Sequence, residues 1–593
     1  MVRRWRRANP VTSVTPARAP RYNRTMRKPF VAALSPVALA ALAALAACSS
    51  PSRPTPTGPG TGSAGGSAGA GAGSTTPPLP PPATAIGGAC APDRENMQST
   101  CAAGALCMPL PGGYCTAPCA TAACPDGSVC VPTGRMGELC VAACATDADC
   151  RADEGYVCDP ARHGCVLPFS TAPAIAACHN EAPPDAGFSD MTALTTADSP
   201  GAYQFEPSAV VTPARDVVAV YTGGAASFFD PSFLGVLRVP ADGSPATDTP
   251  LPTSKRMHFD PWAAIDRAGV VHAVWLGHDG GGVDLNAEIG YARSADGGKT
   301  WTPPVAIHDP ALCADGHPFC LDKPMIAIGP DPAAPKSKKR EAIRAFYSSE
   351  GMKMTTSSDG GATFGPPVPV LGATYGDVAI DGAGAIHVVA ADASPAGPAA
   401  WGSADNAIVY TRSTDGKTFA PPVKVSGPGE SIPFYFVNPS VAIDGKRKLI
   451  YVAYAAGTPD GVWSIQLAIG KVGGTTWTRR PLAPGYCHQA VPDLAIAADG
   501  TLHATWYQTV HGRGHRLVAR CKPGGATCGP PGVLGPAMAT YELVRHSPRW
   551  LGEYTALVVD DKHKAVHALW TQVMEDAGGG RGTARIVHAR GPR

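Results

Sequence analysis

Charge is scarce in this chain. Asp, Glu, Lys and Arg make up only 16% of its 593 residues, and the formal net charge is +2. A nucleic-acid-binding protein presents a basic face, so this composition argues against that class of partner. Long hydrophobic runs are also missing. The one Ala/Leu-rich stretch, ending Leu45-Ala46-Ala47-Cys48, is short for a bilayer. Paired CxxC knuckles, the mark of structural zinc, are absent. So is the acidic spacing of an EF-hand loop. No cofactor is expected, and a structural Ca²⁺ ion held by loop Asp residues has no motif behind it.

What the chain does have is small residues in unusual places. The counts of 68 Gly and 62 Pro suit both linkers and tight turns. The length exceeds one small core, so several units are expected. Residues 1–48 read as targeting, with Met26-Arg27-Lys28 as the start and positive region and residues 1–25 as an over-called start. Leu45-Ala46-Ala47-Cys48 resembles the lipobox of bacterial lipoproteins. That resemblance implies lipidation at Cys48 and an exported, lipid-anchored protein. Ser49 is not the Asp that favours inner-membrane retention in such proteins. The implied address is the outer membrane or cell surface of a Gram-negative bacterium. Residues 49–86 hold almost only Ser, Pro, Thr, Gly and Ala. They cannot bury enough apolar surface to offset chain entropy, and a disordered tether is expected.

Cysteines then crowd together. Positions 90, 101, 107, 115, 119, 124, 130, 140, 144, 150, 158 and 165 are all Cys. A dense, even set behind an export signal reads as a disulfide module, here over 87–168. "CTAPCATAACPDGSVC" is partly echoed by "CVAACATDADCRADEGYVC", but connectivity stays open.

From 180 to 593 one phrase recurs: an Ala-Ile-like pair, an Asp/Gly turn and a short apolar run. Val210, Ile265, Ile328, Ile380, Ile443, Ile496 and Leu557 mark its copies. "DPWAAIDRAGVVHAVW" (260–275) and "VPDLAIAADGTLHATW" (491–506) are typical. Each copy holds a hairpin signal and then two further short β runs, such as "IGYARS" and "PPVAI". Four antiparallel strands at a fixed period describe a propeller blade. The fold class is therefore all-β, a β-propeller of four-stranded blades. The count gives seven blades, with six as the alternative. The seventh copy stops after its third strand, so a donor from residues 185–205 is expected to complete it and hide the edge.

Between third and fourth strands lie "SADGGKTW" (294–301), "SSDGGATF" (357–364) and "STDGKTF" (413–419). These resemble the Asp-box (BNR) repeat of sialidase-like propellers, S-x-D-x-G-x-T-W. The resemblance implies structural roles for Ser294, Asp296, Gly298, Thr300 and Trp301. It implies the same for Ser357, Asp359, Gly361, Thr363 and Phe364, and for Ser413, Asp415, Thr418 and Phe419. The Asp caps turn amides, Gly takes positive φ and the aromatic packs back. "GKVGGTTW" (470–477) and "CKPGGATC" (521–528) are degenerate copies. In the second, Cys521 and Cys528 stand in the Ser and Trp places, and a disulfide is expected there. Cys313–Cys320 has the same spacing, and Cys178–Cys487 is left as a long-range pair.

A sialidase-like site would occupy the other face. It needs arginines converging on a carboxylate, a Tyr nucleophile paired with Glu, and an acid Asp. "RHSPRWLGEYTAL" (545–557) brings Arg545, Arg549, Glu553 and Tyr554 together in sequence. The catalytic candidates are Glu553, Tyr554 and Asp260. The ligand-binding candidates are Arg256, Arg545, Arg549, Glu206 and Asp377. No arginine triad in the family's pattern is present, and polar groups hydrogen-bonding at a channel rim are the favoured reading of "GEYTAL". The expected function is a monomeric, surface-anchored scaffold whose propeller binds glycan or protein without catalysis. The alternative is an exo-acting, sialidase-like glycoside hydrolase. His272, His387, His503 and His567 recur at one strand position in different blades, too far apart to share an ion, and read as structural.

Overall fold

A computed structural model describes residues 85–90, 101–166 and 182–593, apart from short segments within the last two ranges, among them 225–230, 280–285, 309–320, 393–406, 433–437, 486–488, 539–549 and 575–582. Cys48, the lipobox, most of the tether, and the pairs Cys313–Cys320 and Cys178–Cys487 lie outside the described residues. No helix among the described residues is long and apolar enough to cross a membrane.

The cysteine module consists of three two-stranded ribbons, including Ser128–Pro132 with Glu138–Ala142 and Val157–Asp159 with Gly164–Val166. Its bonds are Cys101–Cys115, Cys119–Cys130, Cys124–Cys140, Cys144–Cys158 and Cys150–Cys165. Within Cys119–Cys140 and again within Cys144–Cys165, the first cysteine joins the third and the second joins the fourth. The module is a tandem of one small unit, held by cross-links where its apolar core is small. That core is Tyr114, Val131, Val141 and Tyr156, with the Arg151 guanidinium over both rings.

The remainder is a propeller of seven four-stranded sheets. Blade two shows the pattern: Met257–Ile265, Val271–His278, Glu288–Ser294 and Val305–Ala306, paired antiparallel in order. Its second strand is rich in β-branched and aromatic residues and buried along its whole length. That is what a strand covered on both faces by neighbouring blades requires. The apolar clusters lie between blades. Trp275, for example, packs with Val218, Val220 and Leu234 of blade one. Trp506 and Trp570 are equally buried. The first strands of successive blades lie against one another, the seventh against the first, so the ring closes.

Closure is done by a short donor. Thr192–Ala193 forms the outer strand of blade seven, pairing with His588 and Val587 of the C-terminal strand Thr583–Pro592. Asp185, ahead of it, bridges Val533 on the outer strand of blade six. The strap therefore ties two blades, and its paired part is much shorter than the stretch expected from sequence.

Candidate functional site

The two ends of each blade are built differently. At one end the third strand runs into the Asp-box turn. Asp296 accepts from the amides of Lys299 (3.0 Å) and Thr300 (2.9 Å), from the Thr300 hydroxyl (2.6 Å) and from the Ser294 hydroxyl (2.8 Å). These bonds hold its carboxyl down at about 2. Asp359 and Asp415 repeat the arrangement. Gly361 has φ +85°, and a Cβ there would sit 1.7 Å from the Tyr291 hydroxyl oxygen of the preceding blade. The turns are thus clamps between blades. In the degenerate copy of blade six, Cys521 and Cys528 are disulfide-bonded.

At the opposite end the first strands carry a repeated irregularity. Register breaks between Phe205 and Ser208, Phe259 and Trp262, Asp322 and Met325, and Ala490 and Asp493. The bulged residues are Glu206, Asp260, Lys323 and Val491, all with φ between +47° and +57°. Each precedes a proline. Proline has no amide to lose at a bulge, but the residue before it ordinarily avoids this conformation. A non-glycine held there costs about 1–3 kcal/mol. Three of the four strained residues are charged, and they converge.

Lys323 stands at the centre. Its Nζ lies 2.7 Å from Asp260 Oδ1 and 2.5 Å from Glu553 Oε2, and 5.4 Å from the centre of the Tyr375 ring. The Glu553 amide donates to Glu206 Oε1 (3.2 Å). The Tyr554 hydroxyl donates to the Pro261 carbonyl (3.0 Å), and its ring packs on Trp262. Glu206, Asp260, Lys323, Glu553 and Tyr554 are all buried. Blades one, two, three and seven each contribute, so the cluster spans the inner strands across the ring.

Burial sets the electrostatics. It pushes Asp260 up to about 6, with Lys323 pulling against it and Asp322 and Glu553 pushing further. Burial and the Asp260 and Glu553 charges raise Glu206 well above the carboxylate range. Burial alone would lower Lys323, but Asp260, Glu553, Asp322 and Glu206 together hold it well above its usual value. Tyr554 is pushed well up by burial and three acids. The carboxylate oxygens of Glu206, Asp260 and Glu553 lie within 4.8 Å of one another. Calcium takes roughly six to eight oxygens. Three acids with an ammonium among them are a closed ion cluster, not such a cage.

A second buried group lines blades four to seven. Asp377 accepts from the amides of Val378 (2.7 Å) and Val441 (2.8 Å). Ser440 donates to Asp493 and accepts from the Leu494 amide. Arg516 donates to Thr505, Thr555 and the Val491 carbonyl, with its guanidinium over the Tyr507 ring. Burial raises Asp377 to about 6 and Asp493 to about 7. Several of these bonds run from one blade's inner strand to the next. Ser208 likewise accepts from Ala263 of blade two (3.0 Å). They satisfy amides that the channel-side strand edge would otherwise leave unpaired.

The structure thus brings Glu206, Asp260, Glu553 and Tyr554 together and sets Asp377 in a neighbouring group. Arg256 is exposed on the approach to blade two, outside the cluster. Arg545 and Arg549 lie outside the described residues. The polar residues of "GEYTAL" do hydrogen-bond, Tyr554 donating to the Pro261 carbonyl and Thr555 accepting from Arg516, but Glu553 is buried, because Lys323 reaches across the ring to it. Neither Lys323 nor Arg516 is among the candidates drawn from the sequence. Aligned by register, Arg516 stands where Leu234, Ile289, Met352, Ile408, Ile465 and Ile586 stand in the other blades. A charge in that apolar column was the available signal. Three of the four recurring histidines are bonded within their own blades, His272 to Tyr291 (2.7 Å), His387 to Tyr410 (2.8 Å) and His567 to His588 (3.0 Å).

These features define the class: a seven-bladed β-propeller with Asp-box turns, following a disulfide-rich module in the chain. No protein-family model matches the chain, and no curated protein matches it. Solved structures that match the chain include a Hadza microbial sialidase, Hz136, at 17% identity and a TM-score of 0.39, covering 54% of this chain and 66% of the sialidase. The polysaccharide lyase Uly1 aligns at 10% identity and 0.43, over 72% of this chain and 95% of its own. An α-L-arabinofuranosidase of Fusarium graminearum aligns at 13% and 0.36, over 56% and 92%.

Proposed function

We propose that the chain is an exported lipoprotein, anchored through Cys48 at the outer membrane or cell surface of a Gram-negative bacterium. Its propeller binds a glycan or protein ligand and does not process it. One observation carries the non-catalytic part. The acids that a hydrolase would need at the channel end are buried and joined to Lys323. Tyr554, the candidate nucleophile, donates its proton to a backbone carbonyl, and no base carboxylate accepts from it among the described residues.

One observation favours the alternative, an exo-acting glycoside hydrolase. Asp260 is pushed up to about 6 beside two further carboxyl groups. Acids poised near neutrality often serve as general acids. Hydrolysis of a fluorogenic sialoside, beside a panel of other glycosides, by the chain from Ser49 onward separates the two. The binding reading expects no turnover from folded, disulfide-intact protein. Turnover lost in Tyr554→Phe overturns it.

A further inference from the structure

We propose that a groove between blades four and five, at the Asp-box end, binds a carboxylated sugar residue through Arg412. The proposal rests on the reading of the propeller as a binding module and adds to it a site and a ligand chemistry.

The groove has a volume of about 380 Å³, within the range of small-ligand pockets. It opens where two adjacent turns are both defective. The blade-four box, "STDGKTF", is one residue short. The blade-five turn, "GKVGGTTW", lacks the Asp that clasps the others. Trp477 there keeps the aromatic place against Tyr410. Its indole nitrogen is buried without a partner, whereas Trp301 of an intact box donates to the Gly298 carbonyl.

Arg412 lies on this groove. Two of its counterparts at this strand position are engaged. Arg238 pairs with Asp216 at 2.5 Å. Arg293 donates to the Gly360 carbonyl of the next blade's turn. Among the described residues Arg412 has no ion pair, and its Nε is buried with no hydrogen-bond partner. Gly473 lets the guanidinium lie close, since a Cβ there would stand 2.2 Å from Nη1. A half-buried guanidinium without a counter-charge is matched best by a planar carboxylate. The rest of the lining fits a sugar ring. Thr414 and Thr475 are exposed hydroxyl donors and acceptors, and Phe419 offers an apolar wall.

The test is calorimetric titration of the chain from Ser49 onward with D-glucuronate, with D-glucose and acetate as separate arms. Saturable glucuronate binding is expected, with glucose and acetate each at least about tenfold weaker, the share of one charged hydrogen bond or of the ring contacts. Arg412→Met should lose binding by about tenfold or more, with an unchanged melting curve. Should that variant not fold, Thr475→Val at an exposed hydroxyl must weaken binding instead. Three results overturn the proposal: no saturable binding well above millimolar glucuronate, glucose or acetate binding equally well, or a folded Arg412→Met variant that binds as the wild type does. Such a failure leaves the binding-module reading standing. Turnover in the glycoside assay with glucuronate binding intact would strike the non-catalytic reading alone.

Discussion

Lys323→Met removes the one cation that two buried carboxylates share, at 2.7 and 2.5 Å, and leaves a side chain of similar length. Removing one partner of a buried ion pair typically costs about 3–5 kcal/mol, because the other charge stays buried and unpaired. The upper end applies here, since Asp260 and Glu553 are both stranded with Glu206 beside them. The penalty has a pH signature. Without Lys323, Asp260 and Glu206 sit further above their unfolded values, so the native state holds protons that the unfolded state has released. Stability of the variant then rises as pH falls from neutrality toward the unfolded carboxylate range near about 4. Urea unfolding at a series of pH values should show the wild-type-to-variant gap largest at neutral pH and narrowing on acidification. Adding Asp260→Asn and Glu553→Gln to Lys323→Met should restore most of the loss, as neutral groups replace the cluster. A gap under about 0.5 kcal/mol at neutral pH, or one that widens in acid, refutes the buried, Lys323-centred cluster.

Further outcomes follow from other parts of the chain. His567 and His588, lowered to about 4 and about 3, stay neutral in the folded protein. Their stabilisation is present above the unfolded value near 6.5 and is lost as pH falls toward the folded values. His588→Gln should flatten the unfolding profile in that window. Gly361→Ala should destabilise more than Asp296→Ala in thermal melts, because a Cβ at φ +85° meets Tyr291 at 1.7 Å, whereas Asp296 is a largely exposed clasp. Cys90 is disulfide-bonded. The one–three, two–four pattern of the later units assigns it to Cys107, which non-reducing peptide mapping would show; a Cys90 bond to any other cysteine would break the tandem reading.

Much of the fold was legible because each blade repeats the same local chemistry. The Asp/Gly hairpins, the alternating β-branched runs and the Asp-box turns are short-range signals, and seven copies reinforce one another. The missing fourth strand of blade seven announced a donor. Its length did not show, because a two-residue pairing at Thr192–Ala193 leaves no hydrophobic pattern. The site was half legible. Glu206 and Asp260 stood among the candidates, and "GEYTAL" marked Glu553 and Tyr554. What sequence could not show is that bulges at positive φ turn these side chains toward one another across the ring. Lys323, on a different blade from every acid it binds, drew no role for that reason. Arg516 showed only as a charge in an otherwise apolar column, and the strand pairing is what defines that column.

The account turns on a channel end closed around Lys323. Amine-reactive labelling of the native protein, read residue by residue by mass spectrometry, tests this directly. Lys323 should stay unmodified while the exposed Lys299 and Lys417 of the Asp-box turns react, and it should react only on unfolding. Labelling of Lys323 in native protein at the rate of those surface lysines would mean that the acids are open to solvent and substrate, contrary to the binding reading.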